Sequence, residues 1–186
     1  MYIPYACSFP RSQPIRSEGA NHGAAPVPDM TAFTQFHVLL SLLGILSGLI
    51  VLSGLCTSKA MPGWSLLFLV TTMATNLTGF LFPFNGLTPA IGVGLLSTLV
   101  LLITISARYQ HLLARKWRWI YVVGAVIGLY FNVFVLVVQS FLKIPSLHAL
   151  APNGNEQPFA ITQGVVLLFF IVTGAIAVKK FHPKIV

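Results

Sequence analysis

Five long apolar segments without any Asp, Glu, Lys or Arg constrain this chain more than any other feature of its sequence. They cover residues 35–55, 65–83, 89–107, 119–141 and 160–178. Each holds about 20 residues, the helical length that crosses a hydrocarbon core of about 30 Å. Because lipid offers the backbone no hydrogen bonds, and because no segment alternates like a barrel strand, we expect helices. The sequence therefore predicts an all-α membrane protein, a bundle of five transmembrane helices.

The composition excludes the other common classes of protein. Only 8% of the residues are charged and 56% are hydrophobic, whereas soluble domains are about 25% charged and about 45–50% apolar. In a soluble protein a net charge of +8 would suggest nucleic acid. In a membrane protein it is expected to mark the cytoplasmic ends of the helices. The expected partner is therefore the lipid bilayer and not a nucleic acid.

The distribution of basic residues predicts an orientation. The loops 56–64 and 108–118 and the tail 179–186 contain no acidic residue. They hold eight of the 11 basic residues, namely Lys59, Arg108, Arg115, Lys116, Arg118, Lys179, Lys180 and Lys184. Since cytoplasmic loops are enriched in Lys and Arg, the N-terminus is predicted outside and the C-terminus in the cytoplasm.

The first 34 residues differ from the transmembrane domain 35–178. They are rich in Pro, Ser, Gly and Ala, a composition typical of a disordered tail. Met30 directly precedes the apolar part of the chain, so an alternative is that translation starts there. The two cysteines, Cys7 and Cys56, lack CxxC spacing and are predicted on opposite sides of the membrane, so neither a metal site nor a disulfide is expected.

Polar residues inside the apolar segments are where binding or chemistry is expected. Asn76 and Asn132 are both predicted about 10–14 Å below the outer surface, where they could pair. With other polar residues of the outer half they would form a funnel that opens outward. Its six candidate ligand-binding residues are His37, Asn76, Asn132, Gln139, Lys143 and Gln163. The alternative is that they join helices or anchor helix ends at the interface.

Small residues at a spacing of four are expected to bring helices close together. They are Gly44 and Gly48 in the first segment and Gly124 and Gly128 in the fourth. Pro83 and Pro89 bracket residues 84–88 and are expected to hold them as a tight turn.

The sequence favours a non-enzymatic role. It has no acidic residue in any span, no known catalytic motif and therefore no candidate catalytic residue or metal ligand. The leading hypothesis is a binder of an apolar or amphipathic ligand, such as a lipid or quinone, or an accessory subunit. One alternative is a redox enzyme subunit with a quinone or haem site at His37, and another is a small-solute conduit. A conduit would need an oligomer, and a homo-oligomer or larger membrane complex is compatible with each hypothesis. No particular cofactor is indicated.

Three stretches carry a resemblance. NLTGFLFPF from Asn76, RWIYV from Arg118 and NVFVLVVQSFLKIP from Asn132 resemble uncharacterised small multi-pass membrane proteins of bacteria, a group without an assigned function. The resemblance covers roughly residues 35–180. It implies a location in the bacterial inner membrane, and it implies no activity and no functional residue.

Overall fold

The computed structural model describes residues 30–82 and 89–182, and these residues form helices and short connections without a β-strand. The helices are α1 (Met30–Cys56), α2 (Pro62–Gly79), α3 (Pro89–Ile105), α4 (Lys116–Lys143), α5 (Pro145–His148) and α6 (Gln157–Lys180). A π-helical segment, Ser106–Gln110, follows α3 directly. The all-α prediction is confirmed.

Within the described residues, four helices are long and apolar enough to cross a membrane, as expected for a multi-pass membrane protein. They lie within Ala32–Cys56, Ala90–Gln110, Lys116–Lys143 and Gln157–Lys180. Helix α2 is not among these four, because four threonines and Asn76 within its 18 residues lower its hydropathy. The fifth span and the orientation stay predictions.

Some helix boundaries lie outside the apolar segments. Helix α1 already begins at Met30 and α4 at Lys116, because polar residues can continue a helix beyond the part that lipid would surround. Of the predicted tail 1–34, residues 30–34 belong to α1, and residues 1–29 lie outside the described residues. The turn 84–88 with Pro83 and the last residues 183–186 also lie outside them.

Helix α4 is the centre of the bundle. Its buried residues include Tyr121, Val126, Gly128 and Leu129. Three glycines show how closely other helices approach α4. A Cβ atom added to Gly48 of α1 would lie 2.5 Å from Leu129 Cδ1, and one added to Gly174 of α6 would lie 3.2 Å from Val126 Cγ1. A Cβ atom added to Gly128 of α4 itself would lie 3.3 Å from Leu101 Cδ2 of α3. α1, α3 and α6 therefore each pack closely against α4.

The ends of the helices meet in two groups. At one end, His182 N–H donates to Ser58 Oγ (2.9 Å), and Tyr121 at the start of α4 donates to Ser65 of α2 (3.0 Å). The ring of Phe181, just after α6, lies 6.1 Å from that of Tyr121. We call this the basic end, and the end where α1 begins and α4 finishes the His37 end. Helix α2 runs from Ser65 at the basic end to Thr78 at the His37 end.

Candidate functional site

His37 lies in the second turn of α1 and is bound to α2. Its Nδ1 is 2.8 Å from Thr78 Oγ1, and the Thr78 hydroxyl donates its own hydrogen to Ala74 O at 2.8 Å. In the tautomer in which the single hydroxyl hydrogen of Thr78 goes to Ala74 O, the imidazole Nδ1–H is the donor in the contact with Thr78. In the neutral ring Nε2 is then the acceptor, and it has no hydrogen-bond partner among the described residues.

One phenylalanine ring contacts this histidine, and a second phenylalanine packs against the first. The ring of Phe82 meets that of His37 edge-on with centroids 5.2 Å apart, and Phe33 lies 5.0 Å from Phe82. All three side chains are partly buried. An acceptor nitrogen beside aromatic walls suits a ligand with one polar and one apolar part.

Lys143, the last residue of α4, adds a positive charge to the same end. It is exposed and close enough to His37 to act on it electrostatically. We call the group His37, Thr78, Phe33, Phe82 and Lys143 the His37 site. Of these five residues the sequence predicted only His37 and Lys143 as site residues, because nothing in an apolar segment distinguishes one phenylalanine or threonine from the others.

Asn132 lies deeper, where α1, α2 and α4 meet. It is buried, and its Nδ2 donates to Thr72 Oγ1 at 3.1 Å. A Cβ atom on Gly44 would lie 3.2 Å from Asn132 Nδ2 and 3.1 Å from Thr72 Oγ1. The absence of a side chain at Gly44 therefore leaves room for this hydrogen bond.

Asn76 faces a different helix. Its Nδ2 donates to Ser97 Oγ at 3.0 Å and to Thr98 Oγ1 at 3.3 Å, both on α3. The pairing of Asn76 with Asn132 that the sequence suggested is therefore wrong. Equal depth did not bring the two amides together, because the rotation of each helix about its own axis points them at different neighbours.

Gln163 lies between α4 and α6. Its Nε2 donates to Phe134 O at 3.2 Å, while its Oε1 is buried and has no hydrogen-bond partner within the described ranges. Gln139 is exposed near the end of α4. The six predicted residues are thus spread over several interfaces, although His37 and Lys143 lie close enough together to interact electrostatically.

The glycines of the predicted packing motifs lie at close helix contacts. A Cβ atom on Gly48 would also lie 2.9 Å from Phe68 Cδ2, and one on Gly124 would clash with the Thr104 hydroxyl. The apolar gap beside Gly48, lined by Leu52, Phe68 and Leu129 among others, has no room for a water molecule.

Within residues 30–82 and 89–182, no group of three or more His, Cys, Asp or Glu side chains is arranged to hold a metal ion. No protein-family model matches the chain, and no curated protein or solved structure matches it either. The function is therefore inferred from the geometry of the His37 site.

Proposed function

We propose that the chain is a multi-pass protein of the bacterial inner membrane that binds an amphipathic ligand, a lipid or a quinone, at the His37 site without catalysing a reaction. The observation that carries the proposal is the His37–Thr78 hydrogen bond of 2.8 Å. It holds the imidazole against the Phe82 ring, and Nε2 is the free acceptor when Nδ1–H donates to Thr78.

The chemistry of the site supports such a ligand. A hydroxyl or N–H of a headgroup donates to Nε2, and a carbonyl or phosphate oxygen faces the Lys143 ammonium. The apolar part of the ligand packs on Phe33 and Phe82, whose rings are 5.0 Å apart. Ligand sites are commonly apolar with a few polar groups that fix the orientation.

The proposal includes α2 as the fifth span, with the N-terminus outside. The polar face of α2 is compatible with a membrane because its hydroxyls have partners. Thr71, Thr75 and Thr78 each donate to the carbonyl four residues earlier, and Thr72 accepts from Asn132. A helix can cross a membrane with polar residues on one face if their hydroxyls are hydrogen-bonded and neighbouring helices cover that face.

Co-purification tests the ligand directly. The protein is extracted in mild detergent, and the retained lipids and quinones are quantified by mass spectrometry. In His37→Phe, which keeps an aromatic ring but removes the acceptor, the retained ligand should fall about two- to tenfold, the effect of losing one hydrogen bond of about 0.5–1.5 kcal/mol.

The matched control is His148→Phe, because His148 is exposed at the end of the short helix α5 and takes no part in the His37 site. Its ligand content should equal that of the wild type. Equal ligand content in His37→Phe, His148→Phe and the wild type would contradict the proposal. A haem absorption band that disappears in His37→Phe would instead support the redox alternative.

A further inference from the structure

Arg108 rests on a fixed aromatic platform at the basic end. Its guanidinium carbon lies 5.0 Å from the centroid of the Tyr121 ring and 5.7 Å from that of Tyr109. Tyr121 is 1% exposed, and its hydroxyl donates to Ser65 Oγ at 3.0 Å. Because α2 and α4 hold this ring from both sides, the guanidinium on it has a defined position.

The segment that carries Arg108 has an unusual backbone. The N–H of His111 donates to Ser106 O (3.1 Å) across the π-helical turn. Leu112, Leu113 and Arg115 then follow with φ angles of 47°, 59° and 46°, a region that side chains other than glycine rarely adopt. Such strain persists where the surroundings over-determine the conformation, and it concentrates at functional sites. The His111 and Trp117 rings, stacked 3.6 Å apart, close this loop.

Further basic residues follow the platform closely along the chain. The connection also carries Arg115, and the first turn of α4 carries Lys116 and Arg118. Within the described ranges the single acidic residue is Glu156, which precedes α6 at the other end of that helix and accepts hydrogen bonds from Asn153 and Asn155. The Arg108 guanidinium therefore lies in a positive field and has no described carboxylate beside it.

We propose that Arg108 is the anchor of a binding site for the phosphate headgroup of an anionic phospholipid, in the leaflet at the basic end. The planar guanidinium matches two phosphate oxygens at once, and the neighbouring basic residues raise the local concentration of anions. The proposed function at the opposite end of the bundle is not needed for this site.

The surroundings identify the occupant as a lipid and not a free phosphate. Arg108 lies in the π-helical segment that continues α3, near the end of the span Ala90–Gln110, which is long and apolar enough to cross a membrane. Tyr109, which contacts the Arg108 guanidinium, is 45% exposed, and Trp119 near the start of α4 is 48% exposed. Such amphipathic rings are enriched at the level of lipid headgroups. A lipid phosphate is held at that level by its own acyl chains.

Native mass spectrometry of the full-length, delipidated protein tests the site. The protein is titrated with phosphatidylglycerol and with phosphatidylcholine of the same acyl chains. The wild type should retain phosphatidylglycerol preferentially, and Arg108→Gln should reduce this preference about fivefold. The control is Lys59→Gln, which removes the same charge from the exposed connection between α1 and α2, outside the Arg108 platform, and should leave the preference nearly unchanged.

A competition with inorganic phosphate and a comparison of Arg108 variants complete the test. Millimolar inorganic phosphate should not displace the bound phosphatidylglycerol, and displacement would show a site for free phosphate instead. Equal preference in folded Arg108→Gln and wild type would overturn the proposal. If the melting temperature shows that Arg108→Gln does not fold, Arg108→Lys serves the same comparison, because it keeps the cation over the ring and removes the planar fork. An unchanged preference in that variant would equally overturn the proposal.

Discussion

At the scale of single residues, the hydrogen bond from Asn132 to Thr72 joins α4 to α2 in the interior of the bundle, at 3.1 Å. We expect Asn132→Leu and Thr72→Val each to destabilise the protein. Their coupling in a double-mutant cycle should be about 0.6 kcal/mol and not above about 1.7 kcal/mol, since hydrogen bonds between transmembrane helices contribute only modestly. The measurement is the free energy of unfolding in detergent micelles.

Asn76 provides the control for this cycle, because it donates to α3 and not to Asn132. The effects of Asn76→Leu and Asn132→Leu should add within about 0.3–0.5 kcal/mol. A larger coupling between the two asparagines would mean that they share a hydrogen-bond network after all.

At the scale of the helices, close approach depends on particular glycines. Gly48→Ala places a methyl group 2.5 Å from Leu129 Cδ1 and 2.9 Å from Phe68 Cδ2. Because overpacking forces side chains and backbone to shift, this change should cost about 1–3 kcal/mol of unfolding free energy.

The matched control is Gly164→Ala on α6, where an added Cβ meets nothing within 4 Å. Alanine favours a helix over glycine by about 0.8–1.0 kcal/mol, so this variant should be as stable as the wild type or slightly more so. Equal effects of the two changes would show that α1 can move away from α4 at no cost.

The sequence was sufficient for the positions of the helices but not for their rotations. Length and hydropathy located α3, α4 and α6 well, because lipid imposes both properties on a spanning helix. Which neighbour Asn76 or Gln163 faces depends on how each helix turns about its axis, and that is decided by packing between segments far apart in the chain. For the same reason the sequence did not predict Phe33 and Phe82 as part of the site, because their contact near His37 depends on how α1 packs against α2.

Glu156, the residue directly before α6, carries a carboxylate whose protonation should change with pH. Glu156 accepts the backbone N–H of Asn153 (2.9 Å), the Asn153 side-chain amide (2.9 Å) and the backbone N–H of Asn155 (3.0 Å). These bonds, that from the Asn153 backbone first, lower the pKa of Glu156 below its ordinary value. A carboxyl with a lowered folded pKa stabilises the fold above its unfolded pKa, and this contribution is lost as pH falls through the folded pKa.

The amide protons of Asn153 and Asn155 should therefore titrate together in NMR spectra of the protein in micelles. Their midpoint should lie below the ordinary value of about 4.5 for glutamate, and Glu156→Gln should abolish the titration. A midpoint at or above that value would contradict the hydrogen-bonded turn.

At the scale of the whole molecule, the two ends of the bundle differ in chemistry. The His37 end combines an imidazole with phenyl rings, whereas the basic end combines guanidinium and ammonium groups with Tyr109, Tyr121 and Trp119. Basic residues collect on the cytoplasmic side of a membrane, so the basic end should face the cytoplasm.

Cysteine labelling in intact cells tests this orientation together with the fifth span. In a background with Cys7→Ser and Cys56→Ser, a membrane-impermeant reagent should label Asn155→Cys from outside. It should label Ala60→Cys and Ala114→Cys only after lysis. These three residues are exposed in connections between helices. External labelling of both Ala60→Cys and Ala114→Cys would reverse the orientation.

Ala60 and Ala114 also decide whether α2 crosses the membrane, because two helices separate them along the chain. If α2 and α3 both cross, the two positions lie on one side, and if only α3 crosses, they lie on opposite sides.

Helix α2 packs along α4 from the Ser65–Tyr121 contact to the Thr72–Asn132 contact, and its Thr78 then contacts His37 of α1. Its 18 residues extend about 27 Å, close to the thickness of a hydrocarbon core. Moving α2 to one surface would break all three hydrogen bonds, so we expect Ala60→Cys and Ala114→Cys to be protected together. Labelling of one of them from outside and of the other only after lysis would show that this packing does not hold in the membrane.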